Sequence, residues 1–473
     1  MPYNQLNARD IERLEAIVGK EHVLIGDAIH EDFTHDEMME YGCFSPDAVV
    51  QAMTAGQVSQ IMKLAYEREL PVTPRGSGTG LCGGCVAISG GILLSLAGMN
   101  QILEFDEENL TVTIEPGVLL MDLAAAAIER GLLYPPDPGE KSATVGGNVM
   151  TNAGGMRAVK YGVTREYVRG MTVVLPNGDI ARFGGKVAKN SSGYDLKNLL
   201  IGSEGTLAIV TELILKLVPL PPHSLSLLVP FATLASCIET VPKIIMSRVV
   251  PTAIEFMERD VIEASERYLG HTFPDKTSNA YLLLTFDGHS QAELEAAYRK
   301  VADICLENGA IDVFISDTEE RQDSIWKARG AFLEAINTST PSMDECDVVV
   351  PRNRIADYVK SVAGVQKKFN LRIPSFGHAG DGNLHVYLCK DDATDEIWEH
   401  KRQAIMEIMY ETAKMMGGQV SGEHGIGHAK IRYLEESVDE ASLALMHGIK
   451  QVFDPKNILN PGKVVRLQPE NTL

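Results

Sequence analysis

Leu70-Pro71-Val72-Thr73-Pro74-Arg75-Gly76-Ser77-Gly78-Thr79-Gly80-Leu81-Cys82-Gly83-Gly84-Cys85 is the stretch on which the fold class turns. Within it, Gly78-Thr79-Gly80-Leu81-Cys82-Gly83 satisfies GxGxxG by letter. A dinucleotide-binding Rossmann unit needs a helix that opens directly on those glycines, so that its N-terminus meets the pyrophosphate. Here Gly84-Cys85-Val86-Ala87-Ile88-Ser89-Gly90-Gly91 follows, a poor opening for a helix. The Rossmann reading is therefore rejected. What remains is a loop with few side chains, where positive φ is accessible and backbone N–H groups can converge on an anion. A second glycine-rich region runs from Pro135 to Gly155. Two such loops in one domain suit the pyrophosphate of a large nucleotide. Either one alone reads equally well as tight turns in a β-rich domain.

Around these loops the chain reads as an ordinary globular protein. Its 473 residues exceed one core and predict two or three domains. Apolar content of 45% and charged content of 23% are those of a soluble protein. A formal net charge of −21 disfavours nucleic acid and anionic membrane as partners. No apolar run reaches the length of a membrane span, and the N-terminus lacks the basic and apolar regions of a signal peptide, so a cytoplasmic location is expected. Seven scattered cysteines suit reduced thiols, and Cys82-Gly-Gly-Cys85, with no second CxxC, predicts no iron–sulfur cluster. The periodicity predicts helices over 10–19, 56–68 and 119–130, strands over 92–96, 110–116 and 213–218, and a hairpin around Asn177-Gly178. Pro219-Leu220-Pro221-Pro222 reads as a linker. Beyond it, strands over 224–230, 279–286 and 310–315 alternate with charged helices such as 291–308 and 399–416. That is the rhythm of an α+β layer with an antiparallel sheet.

The second half carries a different signal. In Gly377-His378-Ala379-Gly380-Asp381-Gly382-Asn383-Leu384-His385, two histidines flank a tight Asp-Gly-Asn turn that folds the chain back on itself. Both imidazoles can then lie at one mouth, and Glu423, in Ser421-Gly422-Glu423-His424-Gly425, can add a hard third ligand. Two His and one carboxylate form the ligand set of a catalytic divalent metal; Zn, Fe and Mn all accept it. Asp381 before Gly382 reads as the former of an Asx turn. His428 is left outside the site.

Pro74 to Gly80, Gly146 to Gly155 and Gly202-Ser-Glu-Gly-Thr-Leu207 resemble the FAD-binding half of the vanillyl-alcohol oxidase / p-cresol methylhydroxylase flavoproteins. The two histidine motifs narrow the resemblance to the FAD-linked D-2-hydroxyacid dehydrogenases, the group that holds the flavin-bearing chain of glycolate oxidase and the D-lactate and D-2-hydroxyglutarate dehydrogenases. The resemblance covers nearly the whole chain. It implies an α+β protein with a two-part FAD-binding domain of the p-cresol methylhydroxylase type and an α+β cap domain with an antiparallel sheet. The corresponding boundaries are 1–218 for the FAD domain, 219–420 for the cap that carries substrate and metal, and 421–473 for a segment returning to the FAD domain. It implies that Arg75, Gly76, Ser77, Gly78 and Thr79, with Ser142, Gly146, Gly147 and Asn148, cradle the FAD diphosphate. Thr151, Asn152 and Gly155 would line the flavin, Glu204, Gly205 and Ile209 would hold the adenosine side, and Asn460 would approach the isoalloxazine. Some members attach FAD through a histidine of the first loop. No histidine lies between His35 and His223, so non-covalent FAD is expected.

The same resemblance makes His378, His385 and Glu423 the metal ligands. It implies that His424 is the base taking the hydroxyl proton while hydride passes to flavin N5, that Asn383 contacts substrate and that Arg329 grips its carboxylate. On a helix, Arg329 is equally suited to an ion pair. The 2-hydroxyglutarate enzymes carry a cation for the distal carboxylate where this chain has Glu345, which favours a small acid: D-lactate first, glycolate next. The expected function is oxidation of such an acid to the 2-keto acid. Electrons would pass to a protein acceptor, an electron-transferring flavoprotein or an iron–sulfur protein. A non-catalytic electron-relay flavoprotein and an alkyl-glycerone-phosphate synthase are the competing readings.

Overall fold

The computed structural model describes residues 3–270 and 273–466. It divides into two compact units. The first takes the chain up to Ala153, then Val163–Pro219, then the chain from His424 onward; the second takes Gly154–Gly162 and Leu220–Glu423. The junction expected after residue 218 falls after Pro219, and the return expected at 421 falls at His424. The segment Gly154–Gly162, expected in the first part, belongs to the second unit.

The first unit holds strands β1 (Val23–Ile25), β2 (Ala48–Gln51), β3 (Val72–Arg75), β4 (Ile92–Ser95), β5 (Ile102–Asp106), β6 (Thr111–Ile114), β7 (Leu132–Leu133), β8 (Val168–Val174), β9 (Ile180–Gly184), β10 (Ile209–Lys216) and β11 (Val218–Pro219). One sheet runs β1-β2-β4-β3, parallel except for β1. The other runs β5-β6-β10-β8-β9 and is antiparallel throughout. The helix Ala55–Arg68 is capped by the Thr54 hydroxyl and buries Val58, Ile61, Met62 and Ala65. These pack with Leu14, Val72, Ile92 and Leu94. Ile458 and Leu459, far along the chain, are fully buried in the same core, contributing about 2 kcal/mol each. The tail adds to the edge of β3: Val72 N–H donates to Ile458 O at 2.8 Å, and Asn460 N–H donates to Val72 O at 2.7 Å.

Between β3 and β4 the chain forms turns and bends and no helix, as the rejection of the Rossmann reading requires. The second glycine region differs from expectation, since Val145–Thr151 is helical. Thr144 starts it, its hydroxyl accepting from Gly147 N–H at 3.3 Å, and this cap offsets the weak helix preference of two glycines. The expected linker begins as strand: β11 pairs with β7.

The second unit is built on a seven-stranded sheet of β12 (His223–Phe231), β13 (Ala253–Glu258), β14 (Ala280–Gly288), β15 (Phe314–Ser316), β16 (Met343–Val349), β17 (Ser375–His378) and β18 (Asn383–Cys389). Its order is β15-β12-β14-β13-β17-β18-β16, and every pairing is antiparallel. The chain is thus α+β. The strand expected from Ala310 is interrupted: Ala310 forms an isolated bridge to Phe231, Ile311 N–H donates to Pro230 O at 2.9 Å, and the continuous strand starts at Phe314. No helix among the described residues is long and apolar enough to cross a membrane.

Candidate functional site

The register of the second sheet assembles a cluster on one of its faces. The Asp381–Gly382 turn closes the β17–β18 hairpin, with the Asp381 carboxylate accepting from Asn383 N–H at 3.2 Å. This pairs His378 with Asn383 and Phe376 with His385, so the two histidines are diagonal neighbours on the same face. Glu255 of β13 lies directly across from His378, and Asp347 of β16 directly across from His385. All four side chains are buried.

Glu423 joins them from a loop held by Asp347. One oxygen of Asp347 accepts from Ser421 Oγ at 2.8 Å and from Gly422 and Glu423 N–H at 3.0 Å each. Glu423 Oε1 then lies 3.2 Å from His378 Nε2 and 3.3 Å from His385 Nε2, and the two Nε2 atoms are 3.4 Å apart. A first-row divalent ion with ligands at about 2.0–2.1 Å spaces them by about 3.4 Å in a tetrahedron and about 3.0 Å in an octahedron. The donor triangle fits that range. Behind it, Glu255 Oε1 meets His378 Nδ1 at 2.7 Å, which turns Nε2 toward the triangle. A carboxylate on the far nitrogen of an imidazole is the usual support of a metal ligand. Burial alone would push Glu423 up, but His378 and His385 overcome it and hold the carboxyl well below its usual range. Burial also opposes charge on His378, yet Glu255 and Glu423 raise it well above the usual imidazole value. The triangle is therefore a place of strong demand for positive charge, which a proton or a divalent cation answers.

Arg329 and Asn383 lie beside this cluster. The Arg329 guanidinium donates through Nε and Nη2 to Glu255 Oε2, at 2.9 and 2.6 Å, and sits 4.6 Å above the Phe376 ring. Two of its donors thus serve a buried carboxylate, the ion pair to which its place on a helix equally suited it. Asn383 Nδ2 donates to Asp347 Oδ1 at 2.6 Å and to Val348 O at 3.0 Å. Its Oδ1 is buried and has no hydrogen-bond partner among the described residues, which leaves an acceptor. Two residues of the cluster escape sequence reading, Glu255 and Asp347. Each lies in a strand that carries further acids, Ala253-Ile-Glu-Phe-Met-Glu258 and Met343-Asp-Glu-Cys-Asp-Val-Val349, so its residue type alone did not single it out.

In the first unit the two glycine loops meet. Thr144 N–H donates to Ser77 Oγ at 3.1 Å, and the space a side chain at Gly76 would need is filled by the Thr144 hydroxyl. The side chains named from the sequence are largely engaged within the protein. Arg75 donates to Asp32 O at 2.6 Å and His35 O at 2.8 Å, and its guanidinium lies under Gly78, which has φ 85° and no room for a Cβ. Ser142 bonds Glu140 through both N–H and Oγ. Gly146 rests on Pro116, Gly147 bonds the Thr144 cap, and Gly205 rests on Pro74. Thr151 Oγ1 donates to Gly147 O at 3.2 Å, and Asn152 Oδ1 accepts from Arg165 N–H at 3.0 Å. Ile209 is core, Thr79 is half-buried, and Gly155 belongs to the second unit. The Glu204 carboxylate accepts from Ile426 and Gly427 N–H. Asn460 Nδ2 donates to Gly84 O and Glu204 O. Three buried polar atoms along these loops have no partner among the described residues: Asn148 Nδ2, Ser203 Oγ and Asn460 Oδ1. Orphaned groups beside loops stripped of side chains are what a large polar nucleotide needs, and FAD fits here. His424, half-buried, is the first residue of the tail that returns to this unit.

Residues 46–184 match the model of an FAD binding domain, and residues 220–464 that of the FAD linked oxidases, C-terminal domain. The chain is 50% identical over 467 residues to a D-lactate dehydrogenase of Anaerostipes hadrus, covering 98% of both chains. It is 41% identical to the glycolate oxidase subunit GlcD of Bacillus subtilis, covering 96% of both. Its fold is shared with crystalline p-cresol methylhydroxylase, with a TM-score of 0.81 at 20% identity over 98% of each chain. This chain belongs to the FAD-linked oxidases and is an FAD-linked oxidoreductase.

Proposed function

We propose that the chain oxidises a small D-2-hydroxy acid, D-lactate in preference to glycolate, to the 2-keto acid, with FAD and a divalent metal. The observation that carries the reading is the triangle of His378 Nε2, His385 Nε2 and Glu423 Oε1, each edge between 3.2 and 3.4 Å. When bound, FAD supplies the hydride acceptor, and Zn, Fe or Mn supplies the charge that anchors the acid and makes its hydroxyl more acidic.

The residues then have distinct tasks. His378, His385 and Glu423 hold the cation. Glu255 fixes the His378 ring, and Arg329 acts through Glu255, keeping that carboxylate ionised and in place. Asn383 presents Oδ1 as an acceptor for the substrate hydroxyl. His424, joined to Glu423 in the chain, takes the hydroxyl proton, a task suited to an imidazole near neutral pH. The sheet face also carries Glu345 and Asp347, both buried carboxylates. Neither offers the cation that a second substrate carboxylate would need. Electrons leave the flavin for a protein acceptor, an electron-transferring flavoprotein or an iron–sulfur protein; co-purification of that acceptor from the native cell tests it.

Anaerobic addition of D-lactate to the FAD-loaded enzyme tests the main reading. Bleaching of the visible flavin band, faster with D-lactate than with glycolate, is expected. A flavin still oxidised after prolonged incubation with both acids would overturn it.

A further inference from the structure

We propose that Glu204 is a positioning residue for the reaction, acting as a clamp that sets the backbone carrying His424, and not as a ligand of FAD. This rests on the reading of His424 as the base. Glu204 sits in the Gly202-Ser-Glu-Gly205 motif, its side chain buried. Its two carboxylate oxygens are divided between two successive N–H groups: Oε1 accepts from Ile426 and Oε2 from Gly427, each at 2.7 Å. Charge-assisted bonds of this kind to backbone are strong and directional. Those two amides lie two and three residues beyond His424.

The clamp is fixed at both ends. Glu204 has φ 53°, a strained conformation for its type, held by its N–H donating to Met150 O at 2.8 Å and by Asn460 Nδ2 donating to its carbonyl at 2.8 Å. Burial pushes its carboxyl up, while the two amides, Lys463 and Lys430 act against that. On the other side, Cys82 O accepts from His428 N–H at 3.1 Å, and Cys82 Sγ donates to Gly425 O at 3.2 Å. Gly425 has φ 88°, and a Cβ there would stand 2.9 Å from Glu204 Oε1, so only glycine lets the loop close on the carboxylate. The pairing of Ser-Glu-Gly with Glu-His-Gly-Ile-Gly is thereby given a physical reason: one motif supplies the acid and the other the amides and the space.

The test is a double-mutant cycle of Glu204→Gln with His424→Ala in the FAD-loaded enzyme, read by anaerobic flavin bleaching, kcat and KM. The amide of glutamine keeps the shape but turns a donor toward one of the two N–H groups. Glu204→Gln is expected to retain FAD at wild-type stoichiometry, to lower kcat by about tenfold to a hundredfold with KM nearly unchanged, and to speed hydrogen exchange at Ile426 and Gly427. In the His424→Ala background, Glu204→Gln is expected to cost almost nothing further. Gly425→Ala, which pushes the loop off the carboxylate from the other side, is expected to show the same pattern and serves if the first variant does not fold. Loss of FAD from either variant would overturn the proposal in favour of a flavin ligand. Fully additive losses, with His424→Ala itself impaired, would overturn the clamp alone. An unimpaired His424→Ala would overturn the base assignment and with it the route through Glu204.

Discussion

Glu255 and Glu204 are both buried carboxylates at the hearts of their units, yet they face different partners. Glu255 meets side chains, an imidazole at 2.7 Å and a guanidinium at 2.6 Å. Glu204 meets backbone, two amides at 2.7 Å. The contrast extends to the regions around them. The sheet face near His378 is made of side chains that strand register brings face to face, so its chemistry resides in residue types. The loops near Gly76 are made of backbone, and their polar side chains are committed to holding that backbone in shape. In the first region a substitution removes a polar donor, an acceptor or a charge partner. In the second it distorts a surface.

Glu255→Gln should give the largest effect. It leaves the Arg329 guanidinium buried without a counter-charge, which costs about 3–5 kcal/mol. A marked fall in the melting temperature and a loss of bound metal are expected while FAD content per folded chain is kept. Unchanged metal content would show that the His378 ring does not need its carboxylate. Gly76→Ala is the complementary experiment. Its Cβ would overlap the Thr144 hydroxyl, and such overpacking costs about 1–3 kcal/mol. The expected outcome is weaker FAD binding, measured by flavin fluorescence, with metal content unchanged. Loss of both together would mean that the two regions are not separable in this way.

The effect confined to the narrowest window of conditions concerns Asp36, whose carboxylate accepts from Gly83 N–H at 2.6 Å and so ties an N-terminal segment to the first glycine loop. Burial pushes its carboxyl up to about 6, with the Gly83 and Met38 amides opposing. Its folded value is raised above its ordinary one, so between about pH 4 and 6 the folded state retains a proton that the unfolded chain has released. Stability from this group is therefore present at low pH and lost as pH rises through 6, by about 3 kcal/mol at most. Asp36→Asn lacks that dependence. The melting temperature of the variant relative to wild type should rise between pH 4 and pH 7; a constant difference would contradict the assignment.

The same contrast explains what the sequence revealed. The convergence of His378 and His385 was legible because a turn between two histidines is a local geometry, and Glu423 was added to them by its residue type. Glu255 and Asp347 were not, because they enter by cross-strand pairing between segments whose register no local pattern determines. The glycine loops were legible as loops and as a rejection of the Rossmann fold. The tasks of Arg75 and Glu204 were not, since each bonds backbone far away in the chain, Arg75 at residues 32 and 35 and Glu204 at 426 and 427. The helix Val145–Thr151 was hidden by its glycines, whose low helix preference is overcome by one threonine cap.

The most direct test of the account is the rate of anaerobic flavin bleaching by D-lactate before and after removal of metal with a chelator. The account predicts that the stripped enzyme keeps its FAD but is reduced about a hundredfold more slowly or worse, and that Zn, Mn or Fe restores the rate. Equal rates for stripped and metal-loaded enzyme would contradict it.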